Sequence, residues 1–367
     1  MASKTFDEAG LALPTVRTSG RGFDWTMAGL SIWWMGGLFI DGWAHANIPQ
    51  LETFFTPWHA IFYSGFLAVA TALVVQVLLN LRQSADQNLT WIALIRQSLA
   101  TRSWLKAIPT GYGLTALGLI VFLVSGVGDM TWHIFLGIEK STEALLSPTH
   151  LGLATGLGFS LSGPLRSLWR RSSSPSSWRE LAPAIVSLTF TFSLLTFFIA
   201  YADALVHLWP LTNTQGSATS GIDDILLTTG VTVGVMLLIL RRWKLPFGTF
   251  TFMLGLNGSM MAVFAPHALV IAAPTGILGG LAADLLYRFL QPTLGEPDSV
   301  RLFAFLAPFC LYIIYFLDLM VAGPIFYHSG IVWSVPFWAG APVIAGIAGF
   351  LLSFVMIPPA QGLHNDQ

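Results

Sequence analysis

Long runs of uncharged, apolar residues constrain this chain more than any other feature of its sequence. Of its 367 residues, 54% are hydrophobic and only 10% are charged, and the mean hydropathy is +0.69. A soluble domain carries roughly 25% charged residues, whereas the uncharged runs here repeatedly reach the roughly 20 residues that cross a bilayer as a helix. The sequence therefore predicts an all-α, polytopic transmembrane helix bundle in the lipid bilayer of the cell membrane.

The apolar runs divide into about ten predicted helices, which together form one transmembrane domain over residues 24–357. Residues 1–23 and 358–367 are polar and are expected to form tails on either side of it. The predicted helices cover residues 24–44, 57–80, 109–134, 148–167, 183–207, 222–241, 247–265, 268–290, 302–322 and 332–357.

The distribution of Lys and Arg predicts which side of the membrane each loop faces. Cations cluster in the segments 4–21, 82–106, 166–179 and 241–244, whereas the alternate loops contain one, Lys140. By the positive-inside rule, both termini are then cytoplasmic. All the histidines except His364 consequently fall at or near the opposite, extracytoplasmic face.

Two stretches in the first half of the chain are near-copies of each other. Each has an Asp and a His four residues apart at the end of a predicted helix, and a second His just inside the next one. These residues are Asp41, His45 and His59 in the first stretch, and Asp129, His133 and His150 in the second. Residues four apart share one face of a helix, and Thr56–Pro57 and Ser147–Pro148 are favourable helix starts. A helical hairpin would therefore bring each Asp-His-His set to one depth.

This set of side chains indicates a metal site. Ionisable groups are costly between membrane helices and usually serve a function there. Two imidazoles and a carboxylate, with coordination positions left open, suit a catalytic transition metal. Imidazole binds copper, zinc and iron alike, so the spacing does not select the metal. Because copper binds most tightly in the divalent series, copper is the expected metal, with zinc and iron as alternatives.

The order of these residues carries a resemblance to a known family. Asp41-Gly42-x-x-His45 is followed by the segment 55–64, which contains Thr56-Pro57-x-His59, and a second segment runs from Trp132-His133 to His150-x-Gly152. Over roughly residues 25–165 the chain resembles the C subunit of copper membrane monooxygenases, the particulate methane and ammonia monooxygenases.

The resemblance implies two neighbouring copper sites. The first would be formed by Asp41, His45 and His59, and the second by Asp129, His133 and His150, where Asp129 stands in place of the family's Asn. It further implies a copper-dependent monooxygenase subunit that works with partner subunits on a small apolar substrate. The residues themselves do not assign a catalytic group beyond the metal ligands.

The rest of the chain is interpreted as scaffold built from related hairpins. Segments 24–80 and 109–167 are the predicted metal-binding hairpins, and 183–357 contains three degenerate ones. Asp203 and His207 form a third Asp-x-x-x-His motif that lacks a second His. The residues expected to support the metal ligands from a second layer are Glu52, Glu139, Glu143, Asp203 and His207.

Other classes of function stay open at this point. One is a non-catalytic membrane protein that stores or passes copper or zinc. Another is a channel or transporter that uses Asp203, Asp284 and Asp318 as intramembrane acids. Nucleic acid is not an expected partner, because the net charge is −1 and no basic tail is present. A thiolate metal cage is excluded by the single cysteine, Cys310.

Overall fold

The computed structural model describes residues 20–48, 54–85, 89–137, 145–171 and 175–357. Within these ranges the chain is helical and forms no β-strand. The α-helices are α1 (Arg21–Asn47), α2 (Pro57–Ser84), α3 (Trp91–Thr101), α4 (Ser103–Ala107), α5 (Gly113–Leu136), α6 (Pro148–Leu161), α7 (Gly163–Trp169), α8 (Trp178–Phe198), α9 (Ala204–His207), α10 (Ser217–Leu240), α11 (Thr249–Phe264), α12 (Leu269–Leu290), α13 (Pro297–Ala322) and α14 (Val335–Met356). Short 3₁₀ turns cover Ala200–Ala202, Trp209–Leu211 and Pro266–Ala268, and a π-helical turn covers Gly323–Tyr327.

Seven of the described helices are long and apolar enough to cross a membrane. They are α2, α5, α8, α10, α12, α13 and α14. Helix α11 is apolar but has 16 residues, and α1 is long but carries Arg21, Asp24, Asp41 and His45. The predicted α-helical membrane bundle is therefore confirmed, whereas the number of fully apolar spans is smaller than the ten helices expected from the sequence.

Two of the predicted helices are interrupted. The predicted helix 148–167 is divided at Ser162 into α6 and α7. The predicted helix 183–207 ends at Phe198, and the chain then makes a 3₁₀ turn before Asp203 adopts extended backbone (φ −105°, ψ 119°). The Asp203 side chain accepts a hydrogen bond from the backbone N–H of Leu205 and so begins the new helix α9. The sequence predicted that Asp203 and His207 lie at the end of a long helix. This prediction is wrong, because Asp203 caps the short helix α9 and His207 ends it.

Consecutive helices pack as antiparallel pairs, notably α1 with α2, α5 with α6, α11 with α12, and α13 with α14. Glycines allow the backbones in these pairs to come close. A Cβ atom at Gly37 would lie 2.7 Å from the Cα atom of Phe62, and one at Gly156 would lie 2.5 Å from the backbone nitrogen of Phe122. Small residues serve the same purpose at many membrane helix crossings. Descent of these pairs from one repeated hairpin stays a prediction.

An aromatic cluster joins the two hairpins that contain the Asp-His-His sets. The Trp34 ring in α1 lies 4.9 Å from the Phe122 ring in α5 and 5.7 Å from the Phe66 ring in α2, measured between centroids. Phe66 and Phe122 are stacked at 4.9 Å, and all three side chains are buried. This packing holds the two hairpins side by side, about two helical turns from the metal-ligand residues.

At the other end of α1, a buried carboxylate has ordinary structural partners. Asp24 accepts hydrogen bonds from Tyr112 Oη at 2.7 Å and from Ser167 Oγ at 3.2 Å, and it pairs with Arg171. Such partners compensate for removing a carboxylate from water. Asp24 therefore shows how this protein stabilises a buried acid for purely structural purposes.

Candidate metal centre

The first Asp-His-His set lies where α1 ends and α2 begins. Asp41 and His45 are one turn apart on α1, and His59 is the third residue of α2. His59 Nε2 lies 3.5 Å from His45 Nε2 and 3.6 Å from Asp41 Oδ2. Asp41 and His59 are buried and His45 is half-buried. The hairpin geometry expected from the sequence is therefore formed.

The second set repeats this arrangement at the end of α5 and the start of α6. Asp129 Oδ2 lies 3.5 Å from His133 Nε2, and Asp129 Oδ1 lies 3.5 Å from His150 Nε2. Thr149 Oγ1 donates a hydrogen bond of 3.0 Å to the same Oδ1 atom. His133 Nδ1 donates to the backbone carbonyl of Gly137 at 3.3 Å. Because a carbonyl can only accept, Nδ1 carries the proton in this contact, and in the neutral ring the lone pair is on Nε2, the nitrogen that faces Asp129.

Hydroxyl groups orient the second histidine of each set. Thr56 Oγ1 accepts from the backbone N–H of His59 and also lies 2.9 Å from His59 Nδ1. Ser147 Oγ accepts from the backbone N–H of His150 and lies 2.6 Å from His150 Nδ1. Each hydroxyl therefore caps its helix, as the sequence predicted, and also fixes the adjacent imidazole. Contacts of this kind orient metal-binding imidazoles through the ring nitrogen that does not bind the metal.

The separations within each set suit metal ligands better than hydrogen-bond partners. Contacts of 3.5–3.6 Å are longer than good hydrogen bonds. Two ligand atoms that each lie roughly 2.1 Å from an ion, at an angle of roughly 110–120°, are separated by about 3.5 Å. All ligand atoms in a set lie within 4.8 Å of one another. Asp41 Oδ1 is buried without a hydrogen-bond partner among the described residues, which contrasts with the fully paired Asp24.

The two sets adjoin each other. The ring centroids of His59 and His133 are 6.5 Å apart, and Phe54 lies close to both rings, stacked on His59 at 4.9 Å and 6.2 Å from His133. The Tyr63 ring lies 6.3 Å from the His59 ring. Its hydroxyl group is buried without a hydrogen-bond partner among the described residues. The neighbouring hairpins therefore place six candidate ligands and one buried phenol in a single region.

A cavity of about 370 Å³ borders both sets. Its walls are mostly apolar and come from α1, α2, α6, the end of α8 and the end of α11. They include Leu38, Phe62, Leu153, Phe197, Phe198 and Phe264. His207 and His267 also line it. The segments interpreted as scaffold from the sequence thus contribute part of the cavity wall.

The other predicted site residues have different positions. Glu52, Glu139 and Glu143 lie outside the described residues. His207 Nδ1 is hydrogen-bonded to Asp224 at 2.8 Å, and Asp203 caps α9 instead of pairing with His207. Within the described ranges, only the two Asp-His-His sets bring three potential ligands together. Asp224 was not among the site residues predicted from the sequence. An acid within an apolar span at the same end of the bundle as the histidines could have indicated it.

We expect Thr56→Val to weaken metal binding at the first set by roughly 10- to 100-fold, because His59 would lose the hydroxyl that orients its ring. Metal affinity can be measured by competition with a chelator. The matched control is Thr90→Val, since Thr90 caps α3 in the same way but contacts no imidazole. Equal metal affinities in the two variants would contradict an orienting role for Thr56.

Comparisons of the chain with protein-family models, with curated proteins and with solved structures found no match. The protein is an α-helical membrane-type protein with two adjoining, largely buried Asp-His-His groups.

Proposed function

We propose that this protein binds two transition-metal ions, one in each Asp-His-His set, and acts as a copper-dependent monooxygenase-like membrane subunit. One observation carries the proposal. Two largely buried carboxylate–imidazole sets with metal-ligand separations lie side by side and border the same, mainly apolar cavity. The order of the ligand residues, which resembles that of the C subunit of copper membrane monooxygenases, selects copper and oxygenation from the reactions such a site allows.

Each Asp-His-His set would bind one metal ion. Asp41, His45 and His59 would hold one ion, and the second set would hold the other. Copper with three protein ligands would supply open coordination positions and redox chemistry with O₂. The hydroxyls of Thr56 and Ser147 would keep the imidazoles in position.

The cavity walls would keep water away and bind the substrate. Phe62, Phe197 and Phe264 suit a small apolar molecule next to the metal sets. Because the resembling family works as a multi-subunit assembly, the proposal also includes partner subunits. These partners would complete the enzyme in the membrane.

The transporter alternative is weakened by the surroundings of the three acids on which it depends. Asp284 accepts from the backbone N–H groups of Phe250 and Thr251 and from the Thr251 hydroxyl. Asp318 accepts from the Thr275 hydroxyl at 2.6 Å. Both acids therefore have structural roles in joining helices, and Asp203 caps α9.

Metal analysis of protein purified from its native membrane tests the proposal. We expect two copper ions per chain, together with O₂ consumption when a reductant and a small apolar substrate are added. Copper or zinc without O₂ consumption by the intact complex would favour metal storage or transfer. Protein that neither contains a transition metal nor takes one up would refute the proposal.

A further inference from the structure

His207 lies in the cavity wall and belongs to neither metal set. It ends the short helix α9, which is fixed by contacts from three sides. Asp203 Oδ1 caps the helix at its first turn, Tyr315 Oη donates to the Ala204 carbonyl at 3.0 Å, and His267 Nε2 donates to the Val206 carbonyl at 2.9 Å. A helix of four residues has little stability alone, so these contacts determine where His207 is placed.

The hydrogen bonds of His207 define the form of its imidazole ring. Asp224 Oδ2 lies 2.8 Å from His207 Nδ1 and 2.7 Å from Trp209 Nε1. A carboxylate only accepts, and the indole N–H only donates. His207 Nδ1 therefore carries a proton, and in the neutral ring Nε2 is left with its lone pair. Because His207 lines the cavity, Nε2 of the neutral ring is the atom with which it can accept a hydrogen bond from a bound molecule.

The apolar surroundings make this acceptor selective. The apolar part of the cavity wall includes Phe197, Phe198, Val206 and Phe264. The His207 side chain is 28% exposed, whereas Asp224 beside it is only 8% exposed. An acceptor beside mainly apolar walls favours molecules that donate a hydrogen bond to it over molecules of the same shape that do not.

We propose that the cavity binds a small, mainly apolar molecule carrying one O–H or N–H donor, and that His207 Nε2 accepts the hydrogen bond from this donor. Asp224 and Trp209 are positioning residues that fix the tautomer and the direction of the ring. The apolar part of the molecule packs against Phe197 and Phe264. This site rests on the proposed function in using the same cavity as the proposed substrate site, but binding of the donor molecule does not depend on a bound metal.

Binding of phenol and fluorobenzene to the full-length protein in lipid nanodiscs tests this site, because the two probes have similar shapes and only phenol donates. Equilibrium dialysis gives both affinities. We expect the wild-type protein to prefer phenol. His207→Phe should lower the phenol affinity by roughly tenfold, the size of a lost hydrogen bond, and should leave fluorobenzene within about twofold because the ring is replaced by another of similar shape.

A second variant distinguishes positioning from simple packing. Asp224→Leu keeps a branched side chain of similar shape but removes the acceptor of His207 Nδ1, so the ring tautomer is no longer fixed. We expect a weaker preference for phenol in this variant, with unchanged fluorobenzene binding and unchanged metal content. This variant also keeps the test informative if His207→Phe does not fold.

The outcomes separate this inference from the metal proposal. An equal loss of affinity for both probes in His207→Phe would overturn the donor site. A wild-type protein with no preference for phenol would also overturn it. Loss of metal from His207→Phe would also overturn it, because His207 would then be a ligand. A further outcome is that the wild-type protein lacks metal but prefers phenol, and that this preference is abolished in His207→Phe. That result would support the donor site and contradict only the proposed metal function.

Discussion

The His59→Ala variant is expected to lose the metal ion of the first set and to keep the ion of the second. The substitution removes the ligand that connects α2 to Asp41 and His45, which leaves two ligands on one helix. We expect the affinity of that site to fall by more than 100-fold, since changes that only disturb the surroundings of a ligand already cost roughly 10- to 100-fold. Metal per chain, measured by mass spectrometry, should fall from two ions to one.

The reciprocal variant and a matched control complete this experiment. His150→Ala should empty the second set and spare the first. His328→Asn removes an imidazole from an exposed position outside both sets. Asn is the suitable replacement because the backbone at His328 has φ 53°, a conformation that Asn adopts readily. Unchanged metal content in both His59→Ala and His150→Ala would show that the assigned ligands are wrong.

The Gly37→Val variant is expected to destabilise the protein and to empty the first metal set. Gly37 lies one turn before Asp41 on α1, and a Cβ atom there would be 2.7 Å from the Cα atom of Phe62 in α2. Because the clash involves backbone, no side-chain rotation relieves it, and α1 must move away from α2. Overpacking of this kind costs roughly 1–3 kcal/mol or more. The same movement would separate Asp41 and His45 from His59.

The neighbouring glycine supplies the control. A Cβ atom at Gly36 would meet no atom within 4 Å, so Gly36→Val introduces the same side chain into the same helix without a clash. Thermal unfolding in detergent and metal content should both distinguish the two variants. If Gly37→Val unfolds at the same temperature as Gly36→Val and keeps both metal ions, close packing of α1 on α2 does not determine the site.

Much of the site could be predicted from the sequence because it depends on local geometry. The four-residue spacing of Asp41 and His45 places both on one helix face, and the Thr56–Pro57 step starts α2 two residues before His59. The same features place Asp129, His133 and His150. Each relation involves residues that are close along the chain, where helix geometry alone fixes the separation.

The segment after Phe198 could not be predicted in the same way. Its apolar residues continue the helical pattern, but the chain leaves the helix and places Asp203 at the start of α9. The partner of His207 is Asp224, in the next long helix, and not the Asp four residues before it. Hydrogen bonds from Tyr315 and His267 hold α9 in place, and no local pattern in the sequence reveals such distant contacts.

The sequence alone determined that this is an α-helical membrane-type protein, and it determined which six residues form the two Asp-His-His sets. Apolar runs and helix periodicity encode both features locally. That the two sets adjoin was only an expectation from the family resemblance; the tertiary structure decided it, because the buried packing of Trp34, Phe66 and Phe122 between the hairpins brings the sets together. The tertiary structure also decided that His207 and the end of α8 form the far wall of the cavity, since long-range packing between helices sets their relative positions.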